Sequence, residues 1–278
     1  PVITITLLSK RILNYYLKGK EHYNTTGFPL SKPETFERLE KIAFIMEIMG
    51  KNFITDEELH KIFPISQDFE NCKYLPTFRR QDEKEQWMFE HNNIQEFLAA
   101  IVLSHKTLDK LLKIISVSSA GKLQLKPTWV NTISFFTSID NSKKSKEVLD
   151  WIILNDVEVV IRFEPDRVTP DRRIQIFKDI FESYSDRQIW LSSNKFSDTD
   201  LARFGNFEKV IEYLLGMLQN REIPRIIQLN AIKVLDKFKM SDFNKYAIPV
   251  KETGKNLLEN VGLSDYDIYS ILSALAKL

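Results

Sequence analysis

Apolar residues recur at three- and four-residue spacing through most of the chain, and that period predicts a mainly helical protein. Segment 1–18, PVITITLLSKRILNYYLK, sets Ile5, Leu8, Ile12 and Tyr16 near one stripe. Pro1 suits a first helical position, because its missing N–H would be unpaired there anyway. Gly, Pro, Thr and Asn then crowd residues 19–33 into a loop. Ser31 and Glu34 form a capping box for a helix over 34–49, whose Phe36, Leu39, Ile42, Ala43, Met46 and Met49 share one face. Gly50 ends that helix, and a second box, Thr55 to Glu58, starts a shorter one. The period changes at 74–91, YLPTFRRQDEKEQWMFEH, where aromatic, β-favouring ends around a charged centre predict two short strands joined by a solvated turn. Residues 92–104 return to a helical pattern, with Ile94, Phe97, Leu98, Ile101 and Val102 on one face and small Ala99 and Ala100 permitting a close neighbour. Asn93 is the expected cap, with Glu96 returning the bond.

A tandem of helices followed by a hairpin is the pattern of a winged helix, here over 33–104. From 105 to 278 the chain becomes a run of helical segments separated by short breakers, each with one apolar face that a stacked partner would bury. One of them, IPRIIQLNAIKVLDKF at 223–238, resembles the second helix of a HEAT repeat, with Pro224, Arg225, Ala231 and Leu235 at the expected places. Spacing between the segments is irregular, so the expectation is an irregular α-solenoid without an exact repeat. The fold class predicted is mainly α: a winged-helix domain with a short β-hairpin, followed by a HEAT-like helical domain.

Composition narrows the functions. The 278 residues, 43% of them hydrophobic, can bury a sizeable core across two or three small domains. With 39 basic and 38 acidic residues the net charge is +1, which gives no broad field to attract nucleic acid or anionic lipid. The single cysteine, Cys72, excludes an internal disulfide framework and a multi-cysteine zinc site, and suits a reducing cytoplasm. No apolar run approaches the roughly 20 residues needed to cross a bilayer, and no signal-peptide pattern opens the chain. A start at Pro1, without methionine, reads as a fragment of a longer chain or as a chain that was trimmed.

Candidate chemistry is sparse. His22, His60 and His105 are scattered, none with a second ligand at metal spacing, so no metal site is expected. In EPDRVTPDRR, 164–173, Thr169 or Pro170 starts a helix with Asp171 on its dipole, and capping explains the charges. Trp129, Trp151 and Trp190 sit in apolar contexts and read as anchors between layers. Arg79 and Arg80 lie beside Asp82, Glu83 and Glu85, which favours a solvated tip over phosphate contact and makes DNA reading the weaker use of this domain. A phosphate-cradling loop needs two glycines, a lysine and a hydroxyl in a fixed frame. SVSSAGKLQL offers Ser116 in place of the first glycine and Leu123 in place of the hydroxyl, and the Gly-Lys pairs at 19, 50 and 254 lack the frame too. The chain is therefore not expected to bind ATP tightly or turn it over by itself.

His91 stands where the second predicted strand meets the helix start. Unpaired N–H groups and the positive end of the dipole favour an anion there, and a histidine could donate to a phosphate. On local physics alone the first reading is the end of a strand, with His91 sharing a face with Trp87 and Phe89 and satisfied by a carbonyl. The string FEHNNIQEFLAAIVL, through Phe89, His91, Gln95, Glu96, Phe97, Ala99 and Ala100, resembles the F-x-H-x-x-x-Q-E-F-x-A-A signature that ends the winged-helix domain of NACHT-type signal-transduction NTPases of the STAND class. LEKIAFIMEIMGKNFITDEEL, 39–59, is similar to the beginning of that domain, and Pro1 with VITITLLSKRIL resembles the proline that opens the first helical domain.

The resemblance implies a remnant of the first helical domain at 1–32, the winged helix at 33–104 and a helical sensor arm at 105–278. It implies that His91 contacts the β-phosphate of ADP and that Pro1 packs near the adenine. ADP or ATP would be the cofactor of the full-length parent, with none expected for this chain alone. The implied partners are an upstream NTPase core of the same polypeptide, a sensed ligand expected to be a protein, and further copies of the parent on activation. Neither a membrane nor nucleic acid is expected. One departure is plain: the stretch between the first helix and ERLEKIAF is shorter than a full four-helix first helical domain. The other reading is an all-α scaffold with a winged helix that binds protein or DNA and has no nucleotide link.

Overall fold

The structure, a computed structural model, describes residues 30–258 apart from 120, 140–142, 164, 166–167, 221 and 240–242, together with 268–269 and 271–272. The predicted helix over 1–18 and nearly all of the 19–33 loop lie outside the described residues. What is described is mainly helical, with two small antiparallel sheets. The chain divides into two compact units, Pro1–Asn155 and Asp156–Leu278. No helix among the described residues is long and apolar enough to cross a membrane.

The first unit opens with α1 (Lys32–Met49), entered through the predicted capping box: Glu34 N–H donates to Ser31 Oγ, and Ser31 N–H donates to the Glu34 carboxylate at 2.7 Å. Gly50 closes it at φ 64°, in the left-handed region where a Cβ would cost about 1 kcal/mol. After β1 (Ile54–Thr55), the Thr55–Glu58 box starts α2 (Asp56–Ile62), and α3 (Ser66–Asn71) follows. β2 (Phe78–Gln81) and β3 (Gln86–Phe89) form the predicted hairpin, and β1 pairs on the other side of β3, giving the order β1-β3-β2. Phe78 opposes Phe89, and Ile54 opposes Trp87. These side chains are buried on one face, where Trp87 stacks on Phe78 at 5.5 Å and meets the edge of Phe69 at 6.1 Å.

α4 (Asn92–Ser104) occupies the range its pattern predicts and packs against α1 on one side and α6 (Val130–Ile139) on the other. Ala99 and Ala100 are fully buried, and their small size permits this double approach. Between α4 and α6 run α5 (Leu108–Ile115) and the hairpin β4 (Ser116–Ser119) with β5 (Lys122–Leu125). α7 (Lys143–Asp156) follows, and Lys144 Nζ donates to the Ser104 and Lys106 carbonyls at the end of α4. Trp129 is buried, with its ring edge-on to Phe44 at 6.1 Å.

The second unit contains a 3-10 segment (Val157–Arg162), α8 (Pro170–Asp186), α9 (Asp198–Phe204), α10 (Glu208–Gln219), α11 (Arg225–Leu235) and α12 (Asn244–Leu258). α10 packs against α8, α11 and α12, and α9 against α11. Buried polar residues on α11 hold the loops. Asn230 accepts from Leu191 N–H and donates to the Ile189 carbonyl, both at 2.9 Å, while Gln228 donates to the Leu218 and Asn220 carbonyls. Trp190, expected as an anchor, keeps 37% of its surface exposed, so it differs from Trp129.

Candidate functional site

The candidate site is the junction between β3 and α4. β3 delivers Phe89 into the core against Phe78, and Glu90 N–H then donates to the Thr77 carbonyl at 2.8 Å, closing the open end of the hairpin. His91 follows with extended backbone, φ −140° and ψ 136°, and its carbonyl accepts from Ile94 N–H at 3.0 Å. That makes His91 the N-cap. The predicted cap, Asn93, instead lies within the first turn, because the strand carries its extended conformation through His91 and the helix begins at Asn92.

The His91 side chain is exposed and makes no hydrogen bond, ion pair or ring contact with the described residues. The first turn of α4 holds no acidic residue, so the helix does not neutralise its own positive end. Thr77, across the strand ends, is 2% exposed with φ at 64° and a buried hydroxyl that has no partner among the described residues. A β-branched residue in that region stores about 1–2 kcal/mol of strain. In the sequence only Pro76, just before Thr77, marks the turn.

The remaining signature residues have packing or bonding roles. Gln95 Nε2 donates to Glu47 Oε1 at 2.8 Å and to the Lys51 carbonyl at 3.0 Å. Glu96 accepts from Asn131 Nδ2 at 2.9 Å, and Phe97 meets Phe135 edge-on at 6.0 Å. Glu47 was not anticipated as a buried residue. Thr132 Oγ1 also donates to it, at 3.0 Å, and burial, aided by the Glu96 charge, pushes its carboxyl up to about 7 against the lowering effect of the two hydrogen bonds. The available clue was its position inside the apolar run IMEIM.

No family model, curated protein or solved structure matches the chain.

The other candidates fall apart spatially or prove structural. Pro1 lies outside the described residues, as does His22. Arg80 is held by Asp56, through Nε at 3.1 Å and a terminal nitrogen at 2.6 Å, and by Asp82 at 2.6 Å; Arg79 pairs with Glu90 at 2.5 Å. Asp56 also accepts from the buried Trp87 Nε1 at 2.6 Å. The Arg80 guanidinium first, and then Trp87, hold the Asp56 carboxyl below its usual range. His60 stacks on Phe69 at 3.7 Å, and His105 caps the C-terminus of α4. Cys72 is buried, which pushes its thiol up to about 12 and leaves it inert at neutral pH. Gly121 turns the β4–β5 hairpin, a strand–turn–strand arrangement unlike the strand–loop–helix that cradles phosphates. Among the described residues no three His, Cys, Asp or Glu side chains group so as to hold a metal ion.

Proposed function

We propose that this chain is the regulatory and sensor portion of a NACHT-type STAND NTPase, cytoplasmic, in antiviral defence or stress signalling. In this reading α1 to α4 with the three-stranded sheet form the winged helix, and the second unit belongs to a HEAT-like sensor arm. The arm keeps an upstream core closed around ADP. A sensed protein ligand releases it, allowing ATP loading and self-oligomerisation.

One observation carries the reading. Of the seven signature residues, six are used within the fold, and His91 is exposed and, among the described residues, without a partner, at a helix N-terminus with no acid in its first turn. An imidazole N–H and free backbone N–H groups at that position fit a phosphate supplied by another part of the parent. Against the alternative of DNA reading, α3 carries Asp68 and Glu70, and Arg79 and Arg80 are engaged by acids. Scaffolding without nucleotide remains the competing function.

Extending the reading frame upstream is the first test: a phosphate-cradling loop with an acidic strand end must be encoded ahead of Pro1. In the full-length parent, His91→Ala should speed ADP release about tenfold or more, the equivalent of losing one charge-assisted hydrogen bond. Unchanged release would remove His91 from the mechanism.

A further inference from the structure

Glu47 is a buried carboxyl that, among the described residues, has no cation paired with it. It keeps 6% of its surface exposed on the inner face of α1, and each oxygen takes one neutral donor, Gln95 Nε2 from α4 and Thr132 Oγ1 from α6. The surrounding charges do not help it. The only ionisable residue within α4 is Glu96, of the same sign, and α6 has none. Lys51, one turn beyond Glu47, gives its ammonium to Glu58 at 2.5 Å, and Lys126, before the turn into α6, donates to the Ile114 carbonyl. Ala43, one turn earlier on α1, is fully buried and apolar.

The hydrogen-bond inventory accommodates a proton without rearranging any heavy atom. When Glu47 is neutral, its Oε2–H donates to Thr132 Oγ1, whose own proton rotates away, while Gln95 keeps both of its bonds. Once ionised, the carboxylate retains two neutral donors but is a buried charge without a counter-ion among the described residues, beside a Gln95 carbonyl oxygen that is itself buried and has no partner among them.

We propose that Glu47, Gln95 and Thr132 form a proton-operated joint between α1, α4 and α6, tight when Glu47 is neutral and loosened when it ionises. The joint requires no nucleotide and is independent of His91. Its carboxyl is shifted up to about 7, so the folded chain holds a proton that the unfolded chain releases near 4.5. The joint's contribution is therefore full at acid pH, declines as pH rises above the unfolded value, and is gone above the folded one.

The test uses the full chain with ¹³C-labelled glutamate carboxyls. One resonance should titrate near pH 7, disappear in Glu47→Gln, and move to a higher midpoint in Thr132→Val, which removes a donor that favours the ionised form. In parallel, wild-type Tm should fall relative to Glu47→Gln between about pH 5 and 8. If every glutamate titrates at or below about pH 5, the ordinary carboxyl range, the proposal is overturned. Parallel Tm profiles would overturn it as well, and the wild-type titration decides even if Glu47→Gln fails to fold.

Discussion

Asp56 shows how much one side chain can hold. As the first residue of α2 it sits on the positive end of a helix, and it accepts from both the hairpin's Arg80 and the buried Trp87 indole. Asp56→Ala strands the indole N–H in the core and should cost about 1–3 kcal/mol, measured by denaturant titration followed through tryptophan fluorescence. Asp56→Asn keeps an acceptor and should lose less. Because the Asp56 carboxyl is lowered in the fold, its contribution is present above the unfolded value and fades as pH falls through the folded one, the reverse of Glu47. Neither role is readable from sequence, since each depends on residues more than 20 positions away. The position of His91 between a strand and a helix was legible. Its place as N-cap was not, because asparagine outranks histidine as a cap and only the path of β3 reverses that order.

Elements with local causes were the readable ones. The two predicted capping boxes and the left-handed Gly50 follow from residues within a few positions of each other. The face of α1 was less readable. Met49, assigned to the apolar stripe, is 40% exposed while Glu47 is buried, because the crossing of α4 and α6 selects the contact face. The β4–β5 hairpin was missed because its four-residue strands lie between helical patterns and bury little apart from Leu125. A close approach between elements in the second unit also escapes the sequence: a Cβ on Gly205, just past α9, would lie 2.4 Å from the Phe177 ring of α8. Gly205→Ala forces either the Phe177 ring or the helices to shift, and should lower stability by about 1–3 kcal/mol in a thermal melt. An unchanged Tm would mean that the ring simply turns aside.

For the whole molecule, the division between units at Asn155 and Asp156 falls at the end of α7, with no glycine, proline or charge run to mark it. Contact between distant segments decides it, which periodicity does not encode. The balance of charge, by contrast, was visible from composition and recurs in the geometry, since both arginines of the hairpin are answered by neighbouring acids. That pairing has a consequence for behaviour toward polyelectrolytes. A surface whose cations are already matched displaces few counterions when it meets a polyanion, so retention on immobilised heparin should be weak and lost below about 0.2 M salt. Elution only near 0.5 M, roughly, would instead reveal several unmatched cations acting together. Such a hairpin spends its two arginines on its own fold, Arg80 on Asp56 and Asp82 and Arg79 on Glu90.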